Sequence, residues 1–173
     1  MRPALSTNNR KKGAIVIVAI AFIIAVAYIA TTSQRELYVI DETRTLEVFT
    51  AYGSFSGVAV GPHLILTVAH GADLPGDITV NHYRVFKVWS DKDSDLALLR
   101  TDETIYLYSE LVPGYPLMPV KGRELVPGDS GTAIINKAGA VCYLLQGYDH
   151  TAGRYVYKPV TKEAVEAVRI ASG

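Results

Sequence analysis

GDSG at residues 128–131 is the stretch that decides how this sequence folds and what it could do. Two short patterns lie upstream of it. LTVAH at residues 66–70 ends an apolar run in a histidine, and DLALL at residues 95–99 begins another apolar run with an aspartate. A histidine, an aspartate and a serine therefore occur in this order, each in a distinct local setting.

Three side chains in these patterns, His70, Asp95 and Ser130, have complementary chemistry. A serine hydroxyl is a weak nucleophile unless a base takes its proton and a third group orients that base. Ser130 is the candidate nucleophile, His70 the base and Asp95 the orienting carboxylate. Because Gly128 carries no side chain, its amide and that of Ser130 are candidate donors to an oxyanion. Each of these residues alone has an ordinary structural explanation, but their conjunction favours a reactive site.

Composition excludes several other classes of function. The 173 residues carry 17 basic and 17 acidic side chains, so the sequence has no basic footprint for nucleic acid. The histidines lack metal-ligand spacing with Cys, Asp or Glu, and we expect neither metal nor cofactor. The one cysteine, Cys142, precludes an intrachain disulfide. It lies in an apolar strand-like run and is predicted to be a small buried hydrophobe.

An uncharged apolar run of seventeen residues, AIVIVAIAFIIAVAYIA, occupies residues 14–30. This length is the lower limit for a membrane-spanning helix. Basic residues at 10–12 precede it, and positive flanks stay in the cytoplasm. We expect a signal anchor with residues 1–13 cytoplasmic and the rest periplasmic or extracellular. The alternative is a cleaved signal peptide, with Ala-Val-Ala at residues 25–27 as the cleavage site and a secreted product.

Residues 31–45 are polar and charged and are interpreted as a stalk, and residues 46–173 as one folded domain with a core. Short β-branched and aromatic runs separated by Gly, Pro and Asp predict an all-β barrel or sandwich. The predicted strands are residues 46–52, 57–60, 63–68, 78–81, 84–89, 95–100, 105–108, 120–126, 132–136, 140–146 and 154–159. Thr161 and the helically spaced apolar residues after it predict a capped C-terminal helix.

Residues from about 46 to 160 resemble the trypsin-like, or chymotrypsin-fold, serine proteases, in a minimal version of viral or bacterial type. The resemblance rests on GVAV and LILTVAH at 57–60 and 64–70, SDLALL at 94–99, and PGDSG at 127–131. It implies two packed antiparallel β-barrels with the active site between them, His70 and Asp95 coming from the first and Ser130 from the second. It also implies a serine endopeptidase that hydrolyses polypeptides through an acyl-enzyme.

The sequence departs from that family in two respects. Only 35 positions separate Asp95 from Ser130, much fewer than the family usually has, so the loops must be short. There is also no Ile-Val-Gly-Gly-like start. The amine that pairs with the aspartate before the serine in activated members is therefore not visible for Asp129. We expect a constitutively assembled site, or one set by another contact.

Substrate-binding residues follow from the resemblance alone. Glu124 lies six residues before Ser130, where the family places the base of its specificity pocket. A carboxylate there would favour a basic residue before the cleaved bond; the alternative is an ordinary surface charge. Leu145, Gln146 and Gly147 resemble the edge strand that pairs with an extended substrate through main-chain hydrogen bonds.

The sequence is compatible with three functions. The first is a membrane-anchored serine endopeptidase acting on polypeptides near the membrane. The second is a protease-fold binding module without turnover. The third is a single-turnover enzyme that cleaves its own chain and keeps its C-terminus in the cleft.

Overall fold

The computed structural model of this chain describes residues 39–41, 43–114, 126 and 128–173. The elements in these ranges are β1 (Val39–Asp41), β2 (Thr45–Thr50), β3 (Gly53–Gly61), β4 (Leu64–Val68), α1 (Ala69–Ala72), β5 (Ile78–Val80), β6 (Tyr83–Asp91), β7 (Leu96–Thr101), β8 (Ala133–Ile135), β9 (Val141–Asp149), β10 (Arg154–Pro159) and α2 (Lys162–Ser172).

Six antiparallel strands close into a barrel in the order β2-β3-β4-β7-β6-β5. Its central strands, β4 and β7, are apolar on both faces because each face packs against a different core. Ile65 and Leu99 belong to the core inside the barrel. Leu66 and Leu98, the neighbours of those two residues, belong to a second core between the barrel and the rest of the fold. The period-2 alternation of a strand produces this division.

The second core is covered by a four-stranded antiparallel sheet, β1-β8-β9-β10, and by helix α2. The family resemblance implied two barrels. The first is confirmed. In place of the second, the described residues form this open sheet, and the predicted strand at 120–126 lies outside them except for its last residue. Helix α2 is confirmed, and Thr161 caps it by accepting a 3.1 Å hydrogen bond from the Ala164 amide.

The strand predicted at residues 105–108 is wrong. This segment is an irregular connector that crosses the barrel, and Ile105 N–H donates to the Pro62 carbonyl over 2.7 Å. The Tyr106 side chain is 91% exposed. A run rich in β-forming residues does not become a strand where no neighbouring strand offers it a partner, because β-propensity depends on packing context.

The predicted stalk, residues 31–45, is described only in its last part. Strand β1 pairs with β8, with Ile40 opposite Ile134. The cytoplasmic tail at 1–13, the anchor at 14–30 and the alternative cleavage site lie outside the described residues. Among the helices of the described part, none is long and apolar enough to span a membrane.

Cys142 is buried in β9, as predicted, and its thiol lies 3.5 Å from the Ala140 carbonyl. Burial raises the pKa of the Cys142 thiol. The thiolate is the reactive form of cysteine, so this residue is a poor nucleophile and serves as core packing.

Candidate active site

His70 and Asp95 are brought together by the pairing of β4 with β7. Val68, the last residue of β4, lies opposite Leu96, the first of β7. The residue just before β7 and the short helix that follows β4 are therefore neighbours, although 25 positions separate His70 from Asp95 in the sequence. The Ala69 amide also donates to the Asp95 carbonyl over 3.1 Å, which fixes this corner of the barrel.

The Asp95 carboxylate contacts His70 through both of its oxygens. Nδ1 of the imidazole lies 2.9 Å from Oδ2, and the backbone N–H of His70 donates to Oδ1 over 2.9 Å. Asp95 is buried, whereas about half of the His70 side chain is exposed. Asp95 adopts a left-handed backbone conformation with φ of 54°, which aspartate tolerates better than most residues. Left-handed residues are often found at functional sites.

The electrostatics of this pair keep the carboxylate ionised. Its hydrogen bond with Asp95 raises the pKa of His70, and burial only partly offsets that effect. Burial is the largest single influence on Asp95 and favours its neutral form. The hydrogen bonds from the His70 side chain and backbone, the charge of His70 and a smaller influence of Gln146 together outweigh burial, so the pKa of Asp95 is lowered. Because an ionised carboxylate can only accept, Nδ1 carries the proton and Nε2 is left as the base.

The turn that carries Ser130 is held between β3 and β9. Ser56 N–H donates to the Ser130 carbonyl over 2.6 Å, and Gly131 N–H donates to the Leu145 carbonyl over 2.6 Å. Gly128 and Gly131 have φ values of 102° and 94°, which side-chain-bearing residues rarely adopt. A Cβ on Gly131 would lie 1.7 Å from the Ser56 carbonyl oxygen. Glycine is therefore the only residue that fits directly after Ser130.

Asp129 braces this turn. Its Oδ2 accepts the Val126 amide over 2.7 Å, and its own amide donates back to the Val126 carbonyl over 3.1 Å. Its carbonyl accepts the Thr132 amide over 2.9 Å, and the residue is buried. Asp129 thus has a local contact with the backbone of Val126. This contact differs from the pairing with a terminal amine that activated members of the family show.

The Ser130 hydroxyl donates to the backbone carbonyl of Gln146 over 2.7 Å. Within the described ranges, no hydrogen bond joins Ser130 to the His70 ring. The Gln146 side chain also favours the ionised form of Asp95 and makes a small contribution to its lowered pKa. The bond between the Gln146 carbonyl and Ser130 was not predicted from the sequence.

Backbone geometry distinguishes three of the four residues predicted to bind substrate, those in β9. Leu145 is buried and already paired, because its amide donates to the Thr132 carbonyl over 2.9 Å and its carbonyl accepts from Gly131. In the pairing of β9 with β10, Leu145 lies opposite Tyr157 and Gly147 opposite Val156. Gln146 is the extra residue of this irregularity. Bulges of this kind turn a backbone group out of the ladder.

Ser56 and Thr67 support the site without having been predicted. Ser56 Oγ donates to the Gly128 carbonyl over 3.0 Å, and Thr67 Oγ1 donates to the Ser56 carbonyl over 2.6 Å. A single hydroxyl in the otherwise apolar strand LILTV was the available signal for Thr67. Nothing local marks Ser56, whose partners are far away in the sequence. Glu124 lies outside the described residues, and the described part holds no cluster of three or more potential metal ligands.

Comparison with solved structures places this architecture. A Glu endopeptidase structure superposes with a TM-score of 0.58 at 13% identity, covering 79% of this chain and 96% of that one. The inactive form of the Rv3671c protease of M. tuberculosis superposes with a TM-score of 0.54 at 16% identity, covering 76% of this chain and 90% of that one. The HtrA-type protease AlgW with a tripeptide superposes with a TM-score of 0.57 at 18% identity, covering 75% of this chain and 60% of that one. No protein-family model and no curated protein sequence matches the chain.

These neighbours are serine proteases of the trypsin and HtrA type, and the chain has their chymotrypsin-like fold. The resemblance inferred from the three sequence motifs is confirmed at this level. Identities of 13–18% are evidence about the fold and not about the reaction.

Proposed function

We propose that this protein is a serine endopeptidase with His70, Asp95 and Ser130 as its catalytic triad. The observation that carries the proposal is the two-point contact between Asp95 and His70, which leaves Nε2 as a base. The setting of Ser130 supports the proposal, because the residue lies in a turn bounded by glycines. Only a glycine at position 131 allows this turn. The fold that the chain shares with a Glu endopeptidase and an HtrA-type protease agrees with this assignment.

In the proposed reaction, His70 Nε2 takes the proton of Ser130 as Oγ attacks the carbonyl carbon of a peptide bond. The amides of Gly128 and Ser130 stabilise the oxyanion of the tetrahedral intermediate. His70 then gives the proton to the leaving amine, and an acyl-enzyme remains. Water, activated by His70, hydrolyses the acyl-enzyme and restores the serine. Asp95 stabilises the imidazolium in both halves of the reaction.

Polypeptide is the substrate class that this site supports, bound as an extended strand beside Gln146 and Gly147. We further propose that Glu124 selects a basic residue before the cleaved bond, with an ordinary surface charge as the alternative. A peptide library cleaved by wild type and by Glu124→Gln decides between them. Loss of a preference for Lys or Arg in the variant supports the pocket role, and identical cleavage profiles assign Glu124 to the surface.

Covalent labelling tests the reaction itself. A fluorophosphonate should label the wild-type chain and Ser172→Ala, a control serine at the exposed end of α2. It should not label Ser130→Ala. Wild type and Ser172→Ala should hydrolyse casein, and Ser130→Ala should not. Equal labelling of wild type and Ser130→Ala would refute Ser130 as the nucleophile.

One observation favours a second candidate, the protease-fold binding module without turnover. The Ser130 hydroxyl donates to Gln146 and makes no hydrogen bond to His70 within the described part of the chain. If this arrangement is permanent, no base reaches the nucleophile. The same labelling experiment decides, because absence of label on a folded wild-type chain supports the binding module.

We also propose that residues 14–30 anchor the chain in a membrane with residues 1–13 in the cytoplasm. The supporting features are the apolar run and its basic flank. Alkaline carbonate should leave wild type in the membrane fraction and release a variant carrying Ile20→Arg and Ile24→Arg. Mass spectrometry of the mature N-terminus distinguishes an anchor from a cleaved signal peptide, which would give a chain starting near residue 28.

A further inference from the structure

We propose that Gln146 is a positioning residue that holds the nucleophile in a resting state until a bound peptide backbone replaces it. This inference rests on the proposed function, because it concerns how the same site becomes active. A serine hydroxyl has a single proton. While that proton is donated to the Gln146 carbonyl over 2.7 Å, it is not available to His70. The resting contact and the catalytic contact are therefore mutually exclusive.

The position of Gln146 explains why its carbonyl is available. Leu145, which precedes Gln146, is hydrogen-bonded through both its N–H and its C=O to the loop that leads into β8. The irregularity between β9 and β10 leaves Gln146 without an opposite residue in β10. Its carbonyl consequently faces Ser130 rather than a strand. This contact is partly buried. A backbone carbonyl that is partly shielded from water is stabilised by a donor, and in the free protein the Ser130 hydroxyl supplies it.

Although β9 lies between β8 and β10, its pairing with β8 extends no further than Leu144 among the described residues. An extended peptide that adds to β9 beyond that point supplies a better donor, because strand addition places successive backbone N–H groups of the ligand against the carbonyls of the strand. The N–H that reaches the Gln146 carbonyl displaces the Ser130 hydroxyl. The released hydroxyl proton is then available to Nε2 of His70, whose ring is already fixed by Asp95. The carbonyl keeps one donor and the hydroxyl gains an acceptor, so the exchange leaves neither group unpaired.

The experiment measures labelling of Ser130 in the full chain by diisopropyl fluorophosphate, which carries no peptide. Labelling forms a bond from Oγ to phosphorus and releases fluoride, and His70 takes the serine proton. The second component is acetyl-Ala-Ala-NH₂, whose terminal amide donates N–H. The matched control is acetyl-Ala-Ala-N(CH₃)₂, which has the same chain but lacks that donor.

We expect the primary amide to raise the labelling rate by about 2- to 12-fold with saturation, the range for releasing one neutral hydrogen bond. The dimethylamide should leave the rate unchanged or lower it by competition. Gln146→Ala keeps the carbonyl and should keep the acceleration within about twofold, because the backbone and not the side chain holds Ser130. A merely structural role of Gln146 would not make the labelling rate depend on the N–H of the added peptide.

Three outcomes overturn the proposal. If Ser130 is labelled but the primary amide leaves the rate unchanged or lowers it, the resting contact does not limit reactivity, and the triad assignment still stands. If Gln146→Ala abolishes the acceleration, the side chain and not the carbonyl carries the coupling. If neither peptide permits any labelling of a folded chain, the proposed catalytic function fails as well.

Discussion

Both carboxylate oxygens of Asp95 are engaged by His70, Oδ2 by the ring and Oδ1 by the backbone amide, each at 2.9 Å. Contact at two points fixes the plane of the carboxylate relative to the chain that carries the imidazole. Rotation of either side chain would break one of the two bonds. The orientation of the His70 ring is therefore set by the β4–β7 corner and does not depend on substrate.

The activity should depend on the charge of His70. Its hydrogen bond with Asp95 raises the pKa of His70 above the ordinary value of 6.5. A general base must be neutral, so activity should be absent below this pKa and appear as the pH rises through it. The acidic limb of kcat/KM should consequently have its midpoint above 6.5, measured with a peptide substrate at constant ionic strength. A midpoint below 6.5 would contradict the contact with Asp95.

Replacement of the carboxylate should be costly without unfolding the chain. Asparagine tolerates the left-handed conformation of Asp95, so Asp95→Asn should fold normally. The neutral amide stabilises the wrong imidazole tautomer, and kcat should fall by about 10⁴-fold. Asp93→Asn, an exposed change in the same loop, is the control and should retain wild-type activity. A fall in kcat of less than about tenfold for Asp95→Asn would refute the role of Asp95 in orienting His70.

Double variants should reveal that the triad acts as a unit. Ser130→Ala and His70→Ala should each remove nearly all turnover, and the pair should be scarcely worse than either alone. Single and double variants are compared by kcat on one peptide substrate. Additive losses would mean that the two residues act independently, and would contradict the proposed proton transfer between them.

Gly131 should tolerate no side chain. Its φ is 94°, and an added Cβ would lie 1.7 Å from the Ser56 carbonyl oxygen. Gly131→Ala should therefore lower the free energy of unfolding by about 2–5 kcal/mol, combining left-handed strain with overpacking. Gly76→Ala is the matched control. Its φ is 110° with open space around it, so it should show only the strain, about 1–2 kcal/mol. Urea unfolding measures the free energy of unfolding of both variants. Equal decreases in the two variants would contradict the predicted clash at Gly131.

The brace made by Asp129 should matter for kcat more than for KM. Asp129→Ala removes the acceptor of the Val126 amide and loosens the turn that presents the Gly128 amide. We expect kcat to fall by about 10- to 100-fold, less than the 10²–10³ typical for complete loss of an oxyanion donor. Asp129→Asn retains an oxygen acceptor and should be less impaired. Wild-type kcat in the alanine variant would show that the brace is dispensable.

Local signals were sufficient for most of the strands and for the last helix. β4 and β7 were predictable because both are apolar runs bounded by turn residues, and α2 because Thr161 precedes a helically spaced apolar face. The same reasoning failed at residues 105–108, where β-forming residues find no neighbouring strand. The second barrel was implied by the family resemblance and not by local signals, and the described residues form an open four-stranded sheet there.

The sequence by itself determined the reactive side chains and their settings, since motif, turn and strand patterns are properties of neighbouring residues. Only the tertiary structure decided which groups touch. The contact of His70 with Asp95 depends on strand register, and that of Ser130 with Gln146 on an irregularity between β9 and β10. Register and bulges are set by packing between segments far apart in the chain. For this reason the resting partner of the nucleophile could not be inferred from the order of the residues.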